Sequence, residues 1–169
     1  MIGKTTLSAL RTLLLLAQQD RTLCWSPRRL AESLGESPTY LAKVVRHLVR
    51  SGILEAEKGV KGGVRLAQNP NDITLLRIVE ACQGTIVGDY CRSSPPGAAF
   101  CSFHQAALEL HDAITGVLGR WTLSQLLERT AVSGAPVRGI TCLMTRGLHG
   151  TADASAIASQ HLTRLEASS

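Results

Sequence analysis

Several things are missing from this sequence of 169 residues, and each absence removes a class of function. No apolar run approaches the ~20 residues needed to cross a bilayer as a helix. The longest, LLLLA at 13–17, belongs to a helical pattern. The first residues lack the basic flank, long apolar stretch and small-residue cleavage site of a secretory leader, so the expected location is the cytoplasm and no membrane partner is expected. Carboxylates number only thirteen, with no paired acidic motif. No nucleotide-binding glycine fingerprint follows a strand, and the P-loop pattern G-x-x-x-x-G-K-[ST] does not occur. An enzyme is therefore not expected, because convergent acids, bases and a nucleophile are absent. The five cysteines, at 24, 82, 91, 101 and 142, are an odd number in a chain without an export signal. That argues against structural disulfides and for core, metal-ligand or redox roles.

What is present is charge, unevenly placed. Residues 1–67 hold eleven Lys/Arg against five Asp/Glu, a balance of +6, whereas residues 68–169 hold seven against eight, a balance of −1. A basic first part joined to a neutral second part suits a protein whose first part meets a polyanion.

Hydrophobic spacing organises the first part. In residues 4–19, Leu7, Leu10, Leu14 and Ala17 form a helical stripe. A short helix over 27–34 follows, opened by Ser26 and Pro27 and stopped at Gly35. The arrangement then repeats, with Ser37 as cap, Pro38 in the first turn, Leu41, Val44, Val45, Leu48 and Val49 on the buried face, and Gly52 as the stop. Tyr40, Lys43 and His47 fall on one outer line, and Thr39, Lys43, Arg46 and Arg50 on a neighbouring one. Two short helices joined by a tight turn, the second with a polar and basic outer face, read as a helix-turn-helix whose second helix enters the major groove. Arg28, in the first of the two, is a further candidate DNA contact.

The segment EKGVKGGVRLA at 57–67 has three glycines and three cations, flanked by strand-like ILEAEKG and GVRLAQ. It reads as a hairpin wing, with Lys58, Lys61 and Arg65 directed at phosphates or the minor groove and Gly62 and Gly63 allowing close backbone approach. The fold class expected is mainly α with a small β-hairpin: a winged helix-turn-helix domain over 1–80, a linker over 81–102, a long dimerisation helix and a following short helix over 103–130, and a mobile tail over 131–169.

The SPTYL opening of the second helix, the G-x-K-G-G-x-R-L wing and the following ITLLRIVEACQG resemble the IscR/NsrR, or Rrf-two, family of bacterial regulators, over about residues 5–130. The resemblance implies a homodimeric transcription regulator, a repressor in the simplest reading, bound to a palindromic DNA operator. It implies that Ser37, Thr39, Tyr40 and Lys43 begin the recognition helix and that Lys58, Lys61, Gly62, Gly63 and Arg65 form the wing. Ala42 stands where the iron–sulfur regulator of the family has an acidic residue, so that operator class is not implied.

Further along, Phe103, Ala107, Leu110, Ile114, Val117 and Trp121 are spaced 4, 3, 4, 3, 4, a 3.5-residue repeat suited to a seam between helices packed at a shallow angle. With the family resemblance, a two-fold dimer seam is favoured over packing within one chain. Just upstream, DYCRSSPPGAAFCSFH keeps Cys91, Cys101 and His104 but lacks the middle cysteine of the family pattern. Three readings stay open there. The three residues ligate an iron–sulfur cluster, [2Fe–2S] in the leading version, with a fourth ligand from elsewhere. Alternatively Cys91 and Cys101 form a thiol–disulfide switch, or the regulator works without a cofactor. The cluster reading makes the protein a sensor of redox state, iron or nitric oxide. A winged helix that binds protein instead of DNA is the outside alternative, disfavoured by the cations on both helix and wing. Cys82 and Cys24 read as core residues.

Overall fold

The computed structural model describes residues 2–59, 62–86 and 102–132. The segment 81–102 read as a linker and the tail over 131–169 lie largely outside them, as do Lys61, Cys91, Cys101 and Cys142.

Helix α1, Lys4–Ala17, is the centre of the molecule. The sequence stripe accounts for one side of it only. Leu13, Leu15 and Leu16 are buried as well, and so are Thr6, Ser8 and Thr12, because the helices over 27–34, 38–50, 75–83 and 123–132 and the wing strand over 63–66 all pack around this helix. Its buried hydroxyls have partners: Thr12 Oγ1 donates to the Ser8 carbonyl one turn back at 2.8 Å, Gln83 Nε2 donates to Thr6 Oγ1 at 2.6 Å from far along the chain, and the Ser8 hydroxyl donates to Glu36. Each large apolar side chain closed off from water here contributes about 1.5–3 kcal/mol.

Helix α2, Pro27–Leu34, starts as its sequence dictates, with the Ser26 hydroxyl accepting from the Arg29 amide and proline at the first turn. It stops at Gly35, φ 65°, and the Glu36 amide returns to the Ala31 carbonyl at 2.9 Å to close the last turn. Helix α3, Pro38–Arg50, packs on α2 through Leu41, Val44, Val45 and Leu48. It ends in the same manner, with Gly52 at φ 68° and the Ile53 amide bonded to the Leu48 carbonyl.

Strands β1, Leu54–Glu57, and β2, Gly63–Leu66, form an antiparallel hairpin with Leu54 opposite Leu66 and Glu55 opposite Arg65. Trp25, in the α1–α2 connection, adds a third edge: it exchanges two backbone hydrogen bonds of 2.9 Å with Val64. Helix α4, Leu75–Gln83, then packs on α1 and α3, and α5, Ser102–Arg120, packs on α4. Residues 121–123 return to the segment before α4, where the Leu75 amide bonds the Trp121 carbonyl and the Leu123 amide bonds the Ile73 carbonyl. This pairing seats α6, Leu123–Val132, with Leu123 fully buried in the common core. No helix among the described residues is long and apolar enough to cross a membrane.

Candidate nucleic-acid interface

Burial along α3 divides the helix cleanly. Leu41, Val44, Val45 and Leu48 face inward, while Thr39, Ala42, Lys43, Arg46, His47 and Arg50 are exposed. Ser37 occupies the N-cap position, as the sequence led one to expect, but its hydroxyl makes no capping bond and stays exposed at the mouth of the helix. Tyr40 departs from its expected outer line. It is half-buried against the core with its hydroxyl out of contact with solvent, and the Lys4 ammonium lies 5.5 Å from its ring centroid. The cause is helical phase: Tyr40 is one residue before Leu41 and four before Val44, both inward.

The cations of the first domain fall into two sets. Three have carboxylate partners. Arg11 pairs with Glu36 at 2.9 Å, Arg28 with Glu32 at 3.0 Å one helical turn away, and Arg65 with Glu55 and more distantly with Glu57. Arg65 is held by its register, since Glu55 is its cross-strand partner. Pairing with these two carboxylates raises the Arg65 pKa further, so the side chain is a fixed cation with its charge partly spent inside the wing. In contrast, Lys43, Arg46 and Arg50 on α3 and Lys58 on the wing make no ion pair among the described residues. These four are among the cations available to an external anion.

The wing glycines serve packing first. A Cβ on Gly63 would lie 2.6 Å from the backbone carbon and oxygen of Trp25, and one on Gly62 would lie 2.3 Å from the Glu57 carbonyl oxygen. Gly59, at φ 121°, supplies the turn. Cys24 is not a core residue: its thiol donates to Glu57 Oε2 at 3.2 Å beside the wing, and that bond raises its pKa. Cys82 does pack against the core, where burial raises its pKa.

Sequence reasoning missed the device that sets α3 relative to α1. Glu36 sits in the turn between α2 and α3; its carboxylate accepts from Arg11 and from Ser8, while Arg11 Nη2 donates to the Leu34 carbonyl at 2.9 Å. One ionic cluster therefore ties the helix-turn-helix corner to the central helix. It also missed Arg29, whose guanidinium lies 3.8 Å above the Trp25 ring.

Helix α5 contains no buried residue. Of the expected seam, Phe103, Leu110 and Val117 are 67, 58 and 47% exposed, and Ala107, Ile114 and Trp121 are half-buried. His104, one turn into the helix, is half-buried with Nδ1 shielded from solvent. Among the described residues no three His, Cys, Asp or Glu side chains converge as a metal site, and Cys91 and Cys101 lie outside those residues.

Comparison with known proteins agrees with this geometry. Residues 2–129 match the Rrf2 family, described as an iron-dependent transcriptional regulator. The chain is 30% identical over 131 residues to the HTH-type transcriptional regulator NsrR of Geobacillus kaustophilus, covering 73% of this chain and 86% of that one. Among solved structures, IscR of T. potens superposes with a TM-score of 0.63 at 23% identity, over 80% of this chain and 92% of that one. An oxidized form of Staphylococcus aureus CymR superposes with a TM-score of 0.58 at 26% identity, over 76% and 96%. The winged helix-turn-helix fold, the cations left available on α3 and wing, and a family match spanning three quarters of its length make this chain a member of the Rrf2 family of transcriptional regulators.

Proposed function

We propose that the protein acts as a homodimer that places two α3 helices in successive major grooves of a palindromic operator, with the wings against the flanking backbone or minor groove. One observation carries the DNA reading: Lys43, Arg46 and Arg50 line the outer face of α3 without an ion-pair partner among the described residues, while Arg11, Arg28 and Arg65 are paired. Thr39, His47 and the uncapped Ser37 hydroxyl supply hydrogen-bonding groups at the same face, and Lys58 extends it to the wing. Tyr40 serves here as a spacer that seats the helix. Gly62 and Gly63 shape the wing, and Lys61 and Arg65 add charge to it.

The dimer reading rests on α5, a 19-residue helix without a buried side chain whose Leu110 and Val117 face water. A two-fold pairing of such helices buries the Phe103–Leu110–Val117 line and sets the distance between the two α3 helices. Lys43→Ala should weaken operator binding in a gel-shift titration, with the variant still dimeric; an unchanged affinity would exclude α3 as the reading element.

The sensing reading assigns Cys91, Cys101 and His104 to an iron–sulfur cluster. Two thiolates and an imidazole are a donor set suited to iron, and His104 stands, half-buried, at the start of α5, the helix proposed to form the dimer. When bound, such a cluster supplies reversible redox chemistry and a reaction site for nitric oxide. The chain's own part is to couple the 91–104 segment to α5 and so to the spacing of the DNA-binding heads, with coupling of about 1–3 kcal/mol typical of such switches. Iron and acid-labile sulfide in stoichiometric amount on anaerobically purified protein, lost in Cys101→Ser, is the expected result. A second reading, a reversible Cys91–Cys101 disulfide, is favoured by the likeness to an oxidized form of CymR. Colourless protein whose DNA affinity changes with thiol oxidation would select it.

A further inference from the structure

Helix α2 carries two adjacent arginines, and the fold treats them differently. Arg28 is tied to Glu32 on its own helix. Arg29 makes no side-chain hydrogen bond or ion pair among the described residues; its guanidinium carbon instead lies over the Trp25 ring, 3.8 Å from the centroid. The ring beneath it is fixed. Trp25 is buried, its backbone is bonded to Val64 of the wing, and that same backbone is so close to Gly63 that no side chain would fit there. A guanidinium held against an aromatic ring at this distance can keep N–H donors free for a phosphate, and it loses little rotamer freedom on taking up that anion. The carboxylates nearest in sequence along the wing, Glu55 and Glu57, are engaged by Arg65 and Cys24. What results is a rigid, exposed cation at the joint between α2 and the wing. In a helix-turn-helix the first helix crosses the phosphate backbone while the second enters the groove.

We infer that Arg29, braced on Trp25, is a phosphate clamp that grips one backbone phosphate of duplex DNA beside the groove entered by α3. The inference rests on the DNA reading above and adds to it the residue that fixes the docking register. A phosphate contact carries no sequence information, so Arg29 contributes equally on all sequences.

The test uses the full-length protein and a fluorescently labelled mixed-sequence DNA duplex, titrated by anisotropy over a series of salt concentrations. Arg29→Ala is expected to bind about tenfold more weakly, with the slope of log affinity against log salt shallower by about 0.9, the value for one lost phosphate contact. Arg29→Lys keeps the charge and therefore the slope, but loses part of the affinity because an ammonium does not stack or fork. Lys43→Ala serves as the independent control of the DNA reading. If Arg29→Ala keeps both wild-type affinity and slope while Lys43→Ala is impaired, the clamp is wrong and the DNA reading stands. Equal losses in Arg29→Ala and Arg29→Lys with an unchanged slope would mean that Arg29 merely covers Trp25, which also overturns the clamp. Failure of the wild-type protein to bind any duplex overturns both.

Discussion

The Arg11–Glu36 pair offers the sharpest test of how the DNA-binding corner is held. Both side chains are only about one-seventh exposed, at 15 and 14%, and they connect α1 to the turn that launches α3. Replacing Glu36 by Ala removes the carboxylate from Arg11 and from the Ser8 hydroxyl, leaving the guanidinium in a poorly solvated site where the Leu34 carbonyl still accepts from it. Truncating one member of a fully buried pair costs about 3–5 kcal/mol; residual exposure and that remaining bond reduce the expectation to about 2–3 kcal/mol. For a domain of this size the loss lowers the melting temperature by about 8–12 °C. The assay is thermal unfolding followed by circular dichroism at neutral pH, repeated at high salt. Salt should change the difference little, because a shielded pair is weakly screened, whereas the exposed Arg28–Glu32 pair contributes almost nothing at either salt. The double variant Arg11→Leu/Glu36→Leu should recover most of the loss, since no unpaired charge then remains inside. A Glu36→Ala variant melting within about 2 °C of wild type, or a coupling energy below about 0.5 kcal/mol in the double-mutant cycle, would refute the claim that this pair fixes the corner.

Two glycines should respond to alanine with opposite signs. Gly63→Ala drives a methyl into the Trp25 backbone and should cost about 2–3 kcal/mol while shifting tryptophan emission, whereas Gly116→Ala, which meets nothing within 4 Å on α5, should stabilise by about 0.5–1 kcal/mol in urea unfolding. Leu110→Asp puts a charge in the middle of the exposed apolar line of α5 and should convert a dimer to monomer by light scattering, with α1–α4 still folded by circular dichroism; a persistent dimer would place the interface elsewhere. Because the Glu57 hydrogen bond raises the Cys24 pKa, its thiolate fraction near neutral pH is below that of a free thiol, and alkylation followed by peptide mapping should find it slow; Glu57→Gln should speed it. Burial likewise raises the Cys82 pKa. Its contribution to stability is therefore complete below the ordinary thiol pKa of ~8.5 and is lost as pH climbs through the folded value, so wild type should lose melting temperature faster than Cys82→Ala in that alkaline window.

Local chemistry explains which parts of this fold could be read from the sequence. Helix α2 was legible at both ends because Ser26, Pro27 and Gly35 act within a few residues of themselves. The inner face of α3 was legible because four apolar residues repeat at helical spacing, and the hairpin because glycines and cations interrupt two strand-like segments. The parts that were not legible all depend on partners far along the chain. The stripe Leu7–Leu10–Leu14–Ala17 suggested a helix with one apolar side, yet α1 is buried nearly all round, because elements from along the chain, among them α4 and α6, pack against it and make Thr6, Ser8 and Thr12 interior residues. Gly63 reads as a turn residue, but its necessity comes from Trp25, 38 positions earlier.

Charge shows the same division most clearly. Counting gives residues 1–67 a balance of +6 and locates the polyanion-binding half of the chain, but a count treats every arginine alike. Folding sorts them. Arg11 is withdrawn to hold a corner, Arg65 is neutralised across the hairpin by the register that places Glu55 opposite it, and Arg28 is matched one turn along its helix. Among the described cations without carboxylates, Lys43, Arg46 and Arg50 lie on the outer face of α3, Arg29 at the start of α2 and Lys58 on the wing, on elements that α2–α3 and α3–β1 packing hold against one another. Pairing withdraws Arg11 to fix the corner and ties Arg65 into the wing, whereas the exposed Arg28–Glu32 pair is weak and easily exchanged. An anion approaching the domain therefore meets a small number of free cations on a rigid frame. That arrangement favours a ligand with regularly spaced charges, such as the backbone of a duplex, over a mobile or isolated anion.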